Sequence, residues 1–86
     1  MTAVLTELER AKSKFPQWPT DPIHAAAIVS EESGELIRAA VMHVYENAPE
    51  SDCYKEAIQT AVVALRFLEG IEANHYLPEK RWKIPG

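Results

Sequence analysis

The chain has a single cysteine, Cys53, in its 86 residues. That excludes an intrachain disulfide and a cysteine-built zinc site. A lone thiol is the usage of a cytoplasmic protein, and that is the expected compartment. No apolar run approaches the roughly 20 residues of a membrane span. The opening MTAVLTELERAKSKF lacks the apolar stretch of a secretory leader, so no membrane role is expected. Positive charge is also scarce, with 9 Lys and Arg against 13 Asp and Glu and a net charge of −4. This balance argues against nucleic acid as the main partner. An acidic protein can still take polyanionic substrates where metal ions supply positive charge locally. A Gly-rich phosphate loop and a serine-nucleophile motif are both missing, so phosphate binding would run through metal and basic side chains. Repeats, low-complexity tracts and strand-like alternation are missing too.

What remains is helix. The composition, 47% hydrophobic and 26% charged, is that of a globular domain. We read an all-α fold of three main helices in one domain, 1–86. The helices are expected over 1–14, 22–46 and 51–72, with a loop at 15–21 and an irregular tail at 75–86. Val4, Leu5, Leu8 and Ala11 recur at helical spacing in the first. FPQWPTDP interrupts, because each proline disfavours helical geometry in the residue before it. Asp21-Pro22 restarts the chain, Asp as N-cap and Pro in the first turn. Gly34 is tolerated inside the second helix at about 1 kcal/mol. NAPESD is a loop whose Ser51 or Asp52 is expected to cap the third helix, with fraying near Gly70. So small a domain has a thin core, and completion by self-association, as a homodimer or homotetramer, is expected.

The informative stretch is IVSEESGEL. At about 100° per residue, Glu32 and Glu35 lie about 60° apart and share a sector with Ala25, Ile28, Val29, Leu36 and Ala39. The opposite side carries Ala26, Ala27, Ile37, Val41 and Val44 and is apolar as well. A helix apolar nearly all round belongs inside a bundle or at a subunit interface. Glu32 and Glu35 are therefore expected to point into protein. The third helix repeats the anomaly, with Glu56 and Gln59 on a face shared with Cys53, Thr60, Val63 and Phe67. If the two helices pair, Glu32 and Glu35 face Glu56 and Gln59. Bare carboxylates so placed repel and are costly to bury. Either some protonate or a hard cation lies between them, and magnesium suits oxygen ligands, with manganese as an alternative. The bland reading is a solvated acidic face, the ordinary fate of an EExxE run.

EESGE (Glu31, Glu32, Glu35) followed by EAIQ (Glu56 to Gln59) resembles the EExxE and ExxD signature of the all-alpha NTP pyrophosphatase superfamily, the MazG-like proteins. The lead-in QWPTDPIHAAA and the continuation TAVVALRFLE resemble it too, so the likeness covers residues 15–72. It implies magnesium-dependent hydrolysis of an NTP or dNTP to monophosphate and pyrophosphate, in nucleotide house-cleaning or pool control. It also implies Glu32, Glu35 and Glu56 as metal ligands with Gln59 in the fourth place. Glu31 is then the residue that orients or deprotonates water, or holds a second metal. The sequence departs from the signature at Gln59, which stands where the family has aspartate. An amide brings an oxygen but no charge and lowers metal affinity. Two rivals follow: a nucleotide and metal binder without turnover, and a non-catalytic helical interaction module.

Among the basic and aromatic residues, Arg38 and Arg66 have two readings each, an intramolecular contact or a substrate phosphate. Trp18 either caps the core or stacks on a base. Lys80 and Arg81, with Lys83, form a basic cluster in the tail that could reach phosphates, or stay solvated. Trp82 reads as an anchor for that tail. His24 reads as a surface residue, and His43 and His75 show no ligand spacing.

Overall fold

The computed structural model describes residues 2–77. Lys80, Arg81, Trp82 and Lys83 lie outside the described residues. The chain is an all-α bundle of three helices packed against each other: α1 (Thr2–Lys14), α2 (Pro22–Glu46) and α3 (Glu50–Glu72). No described residue is in a strand. No described helix is long and apolar enough to cross a membrane.

Each boundary has a local cause. The Asp21 carboxylate accepts the Ile23 N–H at 2.9 Å, and Pro22 occupies the first turn, where its missing N–H has no partner to lose. At its other end α2 stops on Asn47, in the left-handed conformation (φ 60°), which asparagine tolerates better than most residues. The Ala48 N–H turns back onto the Met42 carbonyl at 3.1 Å, and a His43 ring nitrogen lies 2.7 Å from the Ala48 carbonyl. These bonds tighten the connection, and α3 comes back antiparallel to α2. α3 is not capped by Ser51 or Asp52. It starts on Pro49, which makes no side-chain cap bond. The proline fixes φ at −60°, and Glu50 and Asp52 place negative charge against the N-terminal end of the helix dipole.

The expected fraying at Gly70 does not occur; the helix continues to Glu72. Gly70 is buried, and a methyl group there would sit 2.6 Å from the Tyr76 ring. Tyr76 is 3% exposed; its hydroxyl donates to the Phe67 carbonyl and accepts from Trp18 Nε1. The segment after α3 is irregular but fastened. Leu77 N–H donates to the Thr20 carbonyl, and a His75 ring nitrogen reaches the carbonyls of Trp18 and Pro19.

The core is small: Leu8, Ala25, Ala39, Val62 and Tyr76. Ala25 and Ala39 lie roughly four turns apart on one line of α2, and their small side chains let α3 come close. α1 lies along α3 rather than α2 and runs in the same direction. Glu7 meets Gln59, Lys12 meets Glu69, and the Phe15 carbonyl meets Arg66. The second apolar side of α2 is left largely uncovered by the described residues. Ala27, Ile37, Val41 and Val44 are exposed there and Ala26 half-buried.

Candidate functional site

The acids come together where the middle of α2 crosses the first half of α3. The Thr60 hydroxyl fixes the register. It lies 2.8 Å from the Glu56 carbonyl one turn back and 3.2 Å from the Glu32 carbonyl across the interface. Glu32 and Glu56 are thereby neighbours. One turn further along α2, Glu35 shares a depression of about 310 Å³ with Arg38, Asp52, Lys55 and Glu56. The sequence places Asp52 on the side of Glu56 without giving it a role, and Lys55 was missed. Their signal was position, one turn and one residue before Glu56 on α3.

The electrostatics follow from this placement. Burial pushes the Glu32 carboxyl above its ordinary value, and the negative charges of Glu56, Glu31 and Glu35 push it further. Glu32 thus sits in the field of three other glutamates. They are not equally sheltered: Glu32 and Glu56 are half-buried, whereas Glu31 and Glu35 are exposed. The expectation that Glu35 points into protein does not hold, since its side chain stands 47% exposed and leans toward Arg38 at 3.9 Å. Its position on the wheel is right, but α3 covers only the Glu32 side of that sector. An exposed ion pair of that length contributes little to stability.

Gln59 faces elsewhere. Its amide nitrogen donates to Glu7 of α1 at 2.7 Å. Gln59 lines a second depression, of about 390 Å³, together with Glu7, Arg10, Lys55 and Glu56. Glu56 and Lys55 therefore stand on the ridge between two hollows, one toward α2 and one toward α1. Glu7 binds Arg10 through both oxygens, and these bonds, with that from Gln59, hold its carboxyl down at about 2. Sequence reading gave α1 no part in the site, because nothing local says which helix α1 packs on.

Two of the basic and aromatic candidates are drawn away from the acids. Arg66 is 9% exposed, donates to the Phe15 carbonyl at 2.9 Å and lies 4.8 Å over the Trp18 ring. It stands about 15 Å along α3 from Glu56. Trp18 is half-buried between Arg66 and Tyr76. His43 and His75 both serve loop carbonyls.

The donor chemistry suits a hard divalent cation: carboxylates from two helices, with the charged form of Glu32 penalised by its partial burial. Among the described residues no three such groups converge closely enough to hold an ion as they stand. No family model, curated protein or solved structure matches this chain.

Proposed function

We propose that the chain is a magnesium-dependent nucleoside triphosphate pyrophosphohydrolase, releasing monophosphate and pyrophosphate from an NTP or dNTP. The observation that carries the reading is the adjacency of Glu32 and Glu56 across Thr60, with Glu35 and Asp52 at the same hollow. The likeness of EESGE and EAIQ to the MazG-like signature supports it independently. Glu32, Glu35 and Glu56 are the residues that would hold the metal. Bound magnesium would neutralise phosphate oxygens and acidify a ligated water. The chain's own residues do the rest. Arg38 and Lys55 line the hollow and meet the charge of the phosphate chain. Glu31, exposed at the edge of the acidic sector, orients or deprotonates the attacking water.

A second reading, nucleotide and metal binding without turnover, is favoured by one feature: the Gln59 amide is held by Glu7 on the α1 side. A panel of NTPs and dNTPs with magnesium separates the two. Pyrophosphate release from any member supports hydrolysis. Magnesium-dependent nucleotide binding with no release supports the second reading. The absence of both leaves neither standing.

The protein is proposed to act as a homodimer or homotetramer. Exposed Ile23, Ile37, Val41 and Val44 on α2 and Leu68 on α3 support this, as does an open groove of about 560 Å³ lined mainly by Ala26, Val29, Ala64, Phe67 and Leu68. A monomeric mass by light scattering at working concentration would reject it.

A further inference from the structure

Within α2, positions 23, 27, 30, 34, 37, 41 and 44 step by four and three residues in turn, a heptad seam about 32 Å long. Every one of these residues is exposed and none is charged. They lie on the side away from buried Ala25 and Ala39, so packing on α3 does not account for them. Gly34 sits at the middle. Glycine is the weakest helix former after proline, and its backbone here is helical, so no left-handed turn explains it. A methyl group added at Gly34 would meet nothing within 4 Å. Nothing around it in the chain asks for a glycine. A second backbone crossing at that point does.

The seam is its own complement when turned end for end. Centred on Gly34, it sets Gly34 against Gly34, Ser30 against Ile37, Ala27 against Val41 and Ile23 against Val44. The two middle pairs put a small residue opposite a large one, as knobs-into-holes packing needs. The charges agree with the shapes. Glu31 and Arg38 border the same edge of the seam, one heptad apart, and the turned copy brings its Arg38 to Glu31 on both sides of the centre. Among the described residues Arg38 has the loose 3.9 Å approach to Glu35, and Glu31 has no ion-pair partner. A copy running parallel would bring no cation to Glu31. The other edge, at Ala26 and Ser33, is uncharged and opens into the groove beside Leu68.

We propose that α2 packs antiparallel on α2 of a second copy, crossing at Gly34, with Glu31 of each copy paired to Arg38 of the other. This inference rests on the self-association reading above and deepens it by naming the helix, its direction and its register. Arg38 of one copy thereby reaches the edge of the other's acidic sector.

The test is disulfide trapping of the full chain by diamide, in a Cys53→Ser background. With helix axes about 8 Å apart, the two copies of position 34 come within disulfide reach. The two copies of position 44 stand about 30 Å apart. Gly34→Cys therefore gives a covalent dimer and Val44→Cys alone gives none, while a mixture of Ile23→Cys and Val44→Cys links one to the other. The mixed pair reads direction and register even if Gly34→Cys disturbs the helix. Ile37→Glu keeps the helical circular dichroism, since Ile37 is exposed in the single chain. It weakens dimerisation at least about 100-fold by equilibrium sedimentation, because a charge is buried against Ser30. Self-linking of Val44→Cys as fast as the mixed pair overturns the antiparallel register. A dimeric protein whose Gly34→Cys and mixed-pair variants both stay unlinked overturns the inference and leaves self-association standing. So does undiminished dimerisation of Ile37→Glu. A monomeric unaltered protein overturns both.

Discussion

Where α3 ends, Trp18, Arg66 and Tyr76 hold one another, with the Arg66 guanidinium over the indole, the indole N–H on the tyrosine hydroxyl, and that hydroxyl on the Phe67 carbonyl. Nearer the α2–α3 turn, Glu35, Asp52 and Glu56 line one hollow, and burial with the charges of Glu56, Glu31 and Glu35 pushes the neighbouring Glu32 carboxyl upward. Each polar group in the first region meets a partner of opposite need. In the second, carboxylates outnumber the two cations beside them, Arg38 and Lys55. The first region is complete as it stands and serves the fold. The second is left with carboxylates whose charge a bound cation would offset, and this is the physical basis for proposing function there rather than at the aromatic cluster.

The contrast predicts crossed effects of mutation. Glu56→Gln removes a proposed ligand and one of the repelling charges together. Magnesium-dependent pyrophosphate release falls by at least about 100-fold, while the metal-free protein melts at the same temperature or slightly higher. Gly70→Ala does the reverse. The added methyl meets the Tyr76 ring at 2.6 Å, and overpacking of about 1–3 kcal/mol outweighs the roughly 1 kcal/mol of helix propensity gained. Calorimetric melting drops by several degrees, and the rate per folded molecule is kept. Trp18→Phe is milder. It loses the bond to the Tyr76 hydroxyl, about 1 kcal/mol, and keeps an aromatic face for Arg66. Equal damage to catalysis from Gly70→Ala and Glu56→Gln would erase the distinction between the two regions.

The smallest effect is in pH. Glu7 is lowered from 4.5 to about 2, so the unfolded chain binds the proton more readily. The Glu7 contribution is complete above about 4.5 and is lost as pH falls toward 2. Glu32 is raised, so the folded chain binds its proton more readily. Metal-free stability therefore falls as pH rises from 4.5 through the raised value, then levels off. Denaturant midpoints across pH should show both limbs. Glu7→Gln flattens the first, and Glu32→Gln or saturating magnesium flattens the second.

Much of this was legible in the sequence where the cause was local. Asp21-Pro22 encodes the start of α2 in two adjacent residues, and the spacing of Glu32 from Ala25 and Ala39 encodes which side of α2 meets α3. The failures share a different cause. Ser51 and Asp52 are good caps by residue type, yet Pro49 begins the turn before either. Gly70 looked like a weak point, and its reason is Tyr76, which reaches it only after the chain has turned back. Arg66 and Glu7 take their roles from Phe15, Trp18 and Gln59 on other segments. Helical periodicity assigns a residue to a side of its own helix and says nothing about which neighbour lies there.

The most direct test of the central claim is a magnesium titration of the nucleotide-free protein beside its Glu56→Gln variant, followed by calorimetry. The account predicts saturable binding in the first and its loss in the second. Equal heats in both, or none in either, would contradict it.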